Sequence, residues 1–141
     1  MTTDIAPTTE LYNLVMSAQG RLGAIRDMYW TYSDMLKVGA KPDIQTYHIL
    51  VDEGLRVGDE SSAKTGAYHV WQLLMRESPE LQPDVAFLCK LIRCCRICQD
   101  YKRAFFFLRV MNEYGLQPDL ETFQELLKVR QRPLCSYMHI E

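Results

Sequence analysis

The stretch from Pro42 to Val51, PDIQTYHILV, occurs three times in this chain with small changes. It returns as PDVAFLCKLI from Pro83 and as PDLETFQELL from Pro118, and a weaker copy, PTTELYNLVM, starts at Pro7. The four prolines are separated by 35, 41 and 35 residues. A regular period in this range is typical of proteins built from stacked helical repeats.

Each copy predicts the start of an amphipathic helix. The fifth residue after the proline is large and apolar, and the eighth and ninth residues are apolar as well. This spacing places them on one face of a helix, whereas a strand needs strict alternation. Proline fits a helix entrance, and the aspartate that follows it in three copies suits a helix N-terminus. In the second copy we expect Tyr47, Leu50 and Val51 to be buried between neighbouring repeats.

Between successive copies the chain has room for a second helix. Residues 24–38 and 100–115 are amphipathic, and Gly39 and Gly115 at their ends are expected C-caps. The middle copy is six residues longer, and insertions of this kind usually map to loops. The extra residues are therefore expected in a turn at 57–66 and around 78–80, on either side of a helix at 67–75.

Paired helices of this size bury their apolar faces only by stacking on neighbouring pairs. The sequence therefore predicts an all-α solenoid of antiparallel helix pairs. The repeats are expected at 9–43, 44–84 and 85–119, followed by a half repeat at 120–132. Residues 1–8 form a lead-in, and the tail at 133–141 has too little pattern to assign.

The repeat pattern resembles the pentatricopeptide repeat family. The resemblance rests on the 35-residue period, on Pro-Asp at the boundary between successive repeats and on an early aromatic residue in the first helix. It also rests on Gly23 and Gly58 near the inter-helix turn and on the pattern Ala-x-x-x-aromatic-or-Leu-x-x-Met in the second helix. It covers about four-fifths of the chain. The tetratricopeptide repeat has a 34-residue period and a Trp-x-x-Leu-Gly opening that is absent from this sequence. The resemblance implies a right-handed α-solenoid whose first helices line a concave groove.

The resemblance also implies that each repeat reads one base of single-stranded RNA through its fifth and last residues. The implied pairs are Asn13 with Asp43, His48 with Asp84, and Cys89 with Asp119. It assigns uracil to the first pair, whereas His48 and Cys89 depart from the family's usual residues. The second residue of each repeat, implied to wedge between bases, is Glu10, Gln45 or Ala86 in place of the expected aliphatic residue.

Charge is distributed unevenly among the repeats. The chain has a net charge of −2 at pH 7; the first repeat is near neutral, the second is acidic and the third is basic. RNA affinity rests largely on phosphate neutralisation, which favours the C-terminal end as an RNA-binding edge. The candidate phosphate contacts are Lys90, Arg93, Arg96, Lys128, Arg130 and Arg132. The alternative is a solvated helix face with local salt bridges.

Catalytic and metal sites are not predicted. Cys95 and Cys98 have the spacing of a zinc-ligand pair, but a zinc site usually needs a second pair or two nearby histidines. Reduced thiols packed as small hydrophobic groups are therefore favoured. The sequence has no glycine-rich phosphate loop, no HExxH and no nucleophile elbow. We expect no enzyme, no cofactor, no metal and no small-molecule substrate.

Composition is that of one soluble globular domain, with 48% hydrophobic and 24% charged residues. No apolar run approaches the roughly 20 residues of a membrane span, so no membrane insertion is expected. The first ten residues, MTTDIAPTTE, are acidic and lack arginine, so they predict no targeting peptide.

These features lead to one expected function and two alternatives. We expect a non-catalytic helical-repeat subunit of an organellar RNA-handling assembly, such as a mitochondrial ribosome or an RNA-processing complex. Such a subunit binds mainly other proteins and contacts single-stranded RNA through its basic C-terminal edge. The alternatives are a sequence-selective RNA-binding repeat protein and a structural adaptor in a respiratory or other large complex. The expected location is the mitochondrion, with a chloroplast or other plastid as the alternative.

Overall fold

A computed structural model describes residues 7–130, with side chains up to residue 128. The helices are α1 (Thr9–Arg21), α2 (Ile25–Lys37), α3 (Ile44–Val57), α4 (Glu60–Lys64), α5 (Trp71–Glu77), α6 (Val85–Ile97), α7 (Tyr101–Glu113) and α8 (Leu120–Arg130). A π-helical turn, Thr65–Val70, joins α4 to α5 without a break. Within this described range, no helix has both the length and the apolar character needed to cross a membrane.

The first helix of each repeat begins where the Pro-Asp pattern predicts. Asp43 caps α3 because its Oδ1 accepts the backbone N–H of Thr46 at 3.1 Å, and Asp84 caps α6 through the N–H of Phe87 at 2.7 Å. Thr8 caps α1 in the same way. Each cap satisfies an N–H group that has no partner within its own helix. The predicted helix starts are confirmed, and each proline lies one residue before the cap.

The predicted helix-ending glycines are also confirmed. Gly39 and Gly115 follow the last residues of α2 and α7 with φ angles of 83° and 70°, in the left-handed region that favours glycine. After Gly39, the N–H of Ala40 returns to the carbonyl of Met35 at 3.1 Å. This bond satisfies one of the free carbonyl groups at the helix end.

The helices form pairs that stack into a solenoid. Helix α1 packs on α2 and α3, α3 packs on α6, and α6 packs on α7 and α8, so the first helices lie side by side. Tyr47, Leu50 and Val51 are buried at the seam between the first two pairs, as predicted. The hydroxyl of Tyr47 lies 3.0 Å from the hydroxyl of Tyr32 and 2.8 Å from that of Ser78. The seam therefore buries a tyrosine with its polar atom satisfied.

The second repeat differs from the sequence prediction in one element. The prediction of a turn over residues 57–66 is wrong, because the second helix begins at Glu60 and runs through the π turn to Glu77. Asp59 caps this early start by accepting the backbone N–H of Ser62 at 2.7 Å. The additional residues of this repeat therefore lie mainly inside its second helix, and the predicted loop around 78–80 takes few of them.

Two glycines allow the elongated helix to pack closely on its neighbours. A Cβ atom at Gly54 of α3 would lie 2.6 Å from the carbonyl oxygen of Ser62. A Cβ atom at Gly66, in the π turn, would lie 2.9 Å from the Sγ of Cys94 in α6. Both separations are too short for real contacts, so side chains at these positions would push the helices apart.

The end of the predicted half repeat falls partly outside the described residues. Helix α8 is described to Arg130, whereas the prediction extends it to residue 132. Residues 131–141, which include the predicted tail, and residues 1–6 of the lead-in lie outside the described part of the chain.

Candidate nucleic-acid interface

The first predicted reading pair forms a hydrogen-bonded unit with one further residue. Asn13 in α1 donates from Nδ2 to Oδ1 of Asp43 at 3.0 Å, and its Oδ1 accepts the hydroxyl proton of Thr46 at 2.7 Å. The hydroxyl of Thr46 in turn accepts the backbone N–H of Asp43 at 3.1 Å. The amide of Asn13 is therefore held in one orientation between the N-cap aspartate and the threonine of the next helix.

The second pair has different partners. His48 Nε2 lies 3.1 Å from Oδ1 of Asp84, and Lys90 Nζ donates to Nδ1 of the same ring at 2.9 Å. The ammonium of Lys90 also contacts Asp52 at 2.7 Å. Phe87 stands at the position equivalent to Thr46 of the first pair. Its ring packs edge to face against the His48 ring, with 5.4 Å between the ring centroids. Both ring nitrogens of His48 are engaged, so the imidazole has no free edge.

The third pair does not form a polar unit of this kind. Cys89 is 3% exposed, and burial raises the pKa of its thiol, although the neighbouring Thr122 side chain acts in the opposite direction. The hydroxyl of Thr122 donates to Oδ1 of Asp119 at 2.8 Å. The backbone N–H of Thr122 also bonds to that carboxylate and lowers the pKa of Asp119. The aspartate and threonine are present, but the fifth residue offers no amide.

The threonines of these units were missed by the sequence predictions. Thr46 and Thr122 each lie three residues after the N-cap aspartate and are fully buried. A signal for them exists in PDIQT and PDLET, since a capping residue followed three places later by a side chain that reaches back is a capping-box pattern. In PDVAF the third place holds Phe87, so the second repeat lacks this hydroxyl.

The predicted wedge positions lie on the accessible side of the first helices. Glu10, Gln45 and Ala86 are all exposed, each at the second residue of its helix. An accessible side chain at this place can contact a ligand that lies across the first helices.

The predicted phosphate contacts form ion pairs wherever their side chains are described. Arg93 pairs with Glu121, and Arg96 lies 2.5 Å from Oε1 of Glu125. Glu125 is also approached by Arg93 at 3.5 Å and by Lys128 at 3.6 Å. Lys90 pairs with Asp52, as described above. The side chain of Arg130 and the whole of Arg132 lie outside the described part of the structure.

Glu125 is the centre of this C-terminal network. Burial raises the pKa of its carboxyl, but the hydrogen bond and charge of Arg96, together with Lys128 and Arg93, outweigh burial and leave the pKa lowered. Cations held by a buried carboxylate are less available to phosphate than free ones, because a phosphate must compete with the existing partner. Glu121, which is exposed, is the more easily displaced of the two acids.

The cysteines of the third repeat pack as predicted. Cys94 and Cys95 are buried, and burial raises the pKa of both thiols, to about 12 for Cys94. High thiol pKa values keep these groups neutral near pH 7. Among the described residues, no three histidine, cysteine, aspartate or glutamate side chains lie close enough together to hold a metal ion. Cys135 lies outside the described residues.

Comparisons with known proteins agree with this repeat architecture. A family model described as a pentatricopeptide repeat domain matches residues 76–131. The chain is 27% identical over 103 residues to a chloroplastic homolog of pentatricopeptide repeat-containing protein PPR5 from Oryza sativa subsp. japonica, and 27% identical over 108 residues to chloroplastic PPR5 from Zea mays. These matches cover 73% and 77% of the chain, but the chain spans only 21% of each relative.

Solved structures of similar fold come from the same family. The pentatricopeptide repeat protein PPR10 in complex with an 18-nt psaJ RNA element matches 99% of the chain with a TM-score of 0.73 and 19% identity. PPR10 from maize matches 95% with a TM-score of 0.67 and 19% identity. The chain spans 20% of each of these solenoids. The pentatricopeptide repeat model thus matches residues 76–131, and the described helix pairs share the right-handed α-solenoid fold of the pentatricopeptide repeat proteins.

Proposed function

We propose that this chain is a non-catalytic RNA-binding repeat segment whose first helices hold single-stranded RNA, one base per repeat. The observation that carries the proposal is the Asn13–Asp43–Thr46 unit, which fixes an amide between a carboxylate and a hydroxyl beside an accessible helix face. A fixed amide presents a donor and an acceptor in a defined geometry, which is what selection of a base edge requires. This unit is proposed to select uracil.

The other two pairs contribute to the proposed binding in different ways. The second pair offers the exposed carboxylate of Asp84, since His48 is occupied. The third pair offers Asp119 without a reading partner, because Cys89 is buried. We expect selection at the first two repeats and tolerance of any base at the third.

Phosphate contacts are proposed at the C-terminal edge, where Arg93 exchanges its exposed partner Glu121 for an RNA phosphate. Lys128 and the two arginines beyond it are proposed as further contacts. The pairing of these cations with carboxylates predicts weaker binding than their number alone suggests, and a shallower dependence on salt.

A second candidate function is protein binding within a larger assembly. It is favoured by large apolar side chains that stay exposed on the two end helices, among them Leu14 on α1 and Phe123 and Leu127 on α8. Exposed apolar faces of this kind mark contact surfaces in repeat proteins. Either function fits an organelle, and the chloroplastic names of the two relatives favour a plastid over the mitochondrion expected from the sequence.

The proposal is tested by titrating the protein with single-stranded 12-mers that differ only in one uracil, at fixed salt. We expect tighter binding of the uracil-containing strand by about tenfold, as for one well-placed base-edge contact. Asn13→Ala should remove this preference, whereas Asn112→Ala, an exposed amide on α7, should leave it unchanged. Binding of all strands with equal, non-specific affinity in the wild type would refute base reading.

The assembly candidate predicts a different result. Substitution of Phe123 and Leu127 by serine should then release the chain from co-purifying subunits, while Asn13→Ala has no effect on them. RNA titrations of the same two variants separate the functions, because neither apolar residue belongs to a reading pair.

A further inference from the structure

The second reading position contains a cation that comes from the neighbouring repeat. Lys90 belongs to α6, the first helix of the third repeat, yet its ammonium bonds to His48 of the second repeat and to Asp52 one turn further along α3. Because lysine only donates, Nδ1 of His48 must accept, and the imidazole proton therefore lies on Nε2 and points to Asp84. The ring thus links a positive group on one side to a carboxylate on the other.

The groups that remain accessible at this position are Asp84 and Lys90. The side chain of Asp84 is 53% exposed, and that of Lys90 is 26% exposed, whereas the His48 side chain is 9% exposed. Lys90 uses two of its three donor hydrogens on His48 and Asp52. An incoming base at the second repeat therefore meets a carboxylate acceptor and an ammonium donor, while the imidazole only holds them in place.

We propose that Lys90 is a specificity-determining residue of the second repeat and that, together with Asp84, it selects guanine; this inference rests on the proposed RNA-binding function. Guanine has two adjacent N–H donors, at N1 and N2, that a single carboxylate binds together. It also has acceptors at O6 and N7, which suit a lysine.

The other three bases fit this pair of charges less well. Adenine and cytosine place a ring-nitrogen acceptor beside their amino group, and that acceptor faces the carboxylate with the wrong sign. Uracil places its one N–H between two carbonyl oxygens, with the same result. At the first repeat, the place equivalent to Lys90 is occupied by Ile49, which carries no charge, and Asn13 is held by Asp43 and Thr46. The two repeats are therefore expected to prefer different bases.

The test uses single-stranded 12-mers in which one uracil is the anchor for the first repeat and the adjacent base is varied, on its 5′ side in one set and on its 3′ side in the other. We expect the wild type to prefer guanine next to uracil by about tenfold in one of the sets. Lys90→Met, which keeps most of the length of the side chain without its charge, should reduce this preference to about twofold. The uracil preference set by Asn13 should persist in this variant.

Two further variants show whether the change in guanine preference depends on Lys90 itself. Lys102→Met removes an equal charge from α7, on the second-helix side, and should leave the guanine preference unchanged. Asp52→Asn removes the acid that competes for Lys90 and should raise the guanine preference about two- to threefold. Because each preference is a ratio of affinities in one variant, general effects of charge cancel.

The outcomes distinguish a failure of the Lys90 assignment from a failure of the proposed RNA-binding function. A wild type that prefers uracil but binds all neighbouring bases equally overturns the assignment of Lys90, and so does a guanine preference that survives both Lys90→Met and Asp52→Asn unchanged. A wild type without any uracil preference overturns the proposed function, and the guanine assignment with it. Thermal melting of each variant shows whether it is folded, and Asp52→Asn supplies the answer if Lys90→Met is not.

Discussion

The first and third repeats have the same length and similar helices, but only the first has a hydrogen-bonded unit of amide, carboxylate and hydroxyl. Both have two 13-residue helices and an aspartate at the seam with a threonine three residues later. Asn13 bonds to its aspartate and threonine, whereas Cys89 is buried and offers no amide. The aspartate caps a helix in both repeats, so its capping role does not depend on the proposed base reading. We propose that the identity of the fifth residue decides whether the aspartate also takes part in base reading.

The same two repeats also differ in how their first helices are covered. Helix α6 has neighbours on both sides, α3 and α8, whereas α1 packs on α3 alone among the first helices. At the eighth place after the proline, Leu91 is fully buried and Val15 is 40% exposed. The eighth place is apolar in both copies of the sequence pattern. Its side chain is nevertheless expected to stabilise the fold much more at Leu91 than at Val15.

The largest expected effect comes from this difference in packing. Leu91→Ala should lower the free energy of unfolding by about 2 to 5 kcal/mol, because it leaves a cavity between three helices. Val15→Ala should cost less than about 1 kcal/mol, since its side chain is already in contact with water. Chemical denaturation followed by circular dichroism measures both values. Equal losses at the two positions would show that α1 is covered as fully as α6.

A smaller effect is expected from the charged network of the C-terminal end. Glu125 holds Arg96, Arg93 and Lys128, whereas the equivalent residue of the first repeat is Leu14, which is exposed. Glu125→Gln should cost about 1 to 3 kcal/mol at pH 7, since hydrogen bonds to charged groups are lost. Leu14→Gln should change stability by less than about 0.5 kcal/mol.

The dependence on pH follows from the lowered pKa of Glu125. A lowered pKa in the folded state contributes stability that is fully present above the unfolded-state pKa, about 4.3, and is lost as the pH falls through the folded-state pKa. The difference in unfolding free energy between the wild type and Glu125→Gln should therefore shrink below about pH 4. A difference that stays constant down to pH 2 would contradict the assigned ion pairs.

The sequence predicts those parts of the fold that depend on neighbouring residues in the chain. The Pro-Asp caps, the apolar stripes and the glycines at helix ends act within one turn, so their positions were predicted correctly. The early start of the second helix at Glu60 was missed, although Asp59 and Ser62 carry a cap signal, because glycine and two serines also favour a turn.

Contacts between repeats could not be predicted in the same way. Lys90 and Asp52 are far apart in sequence and meet only because α3 and α6 stack, so the sequence does not predict which acid pairs with Lys90. The burial of Cys89 agrees with the packed thiols that the sequence favours, but it conflicts with the base-reading role that the resemblance implies. The fifth residue is only half-buried in the first repeat, and its exposure in the third depends on the packing of α6 against its neighbours.

The last prediction converts the third repeat into a copy of the first. Cys89→Asn places an amide beside Asp119 and Thr122, whose hydroxyl-to-carboxylate distance of 2.8 Å is close to the 3.1 Å of Thr46 and Asp43. The new amide should bond to both partners, so the variant should stay within about 1 kcal/mol of the wild type. It should also gain a preference of about fivefold for uracil at a further position of a bound strand, which RNA titration measures.

Cys89→Ala is the matched control for this conversion, because it removes the thiol without adding an amide. It should show no new base preference, and any change in its RNA affinity reports packing alone. If Cys89→Asn instead loses about 2 to 3 kcal/mol and gains no preference, the amide is buried without partners. The frame formed by Asp119 and Thr122 would then be insufficient for base reading, and the difference between the two repeats would lie in the packing of α6 rather than in the fifth residue.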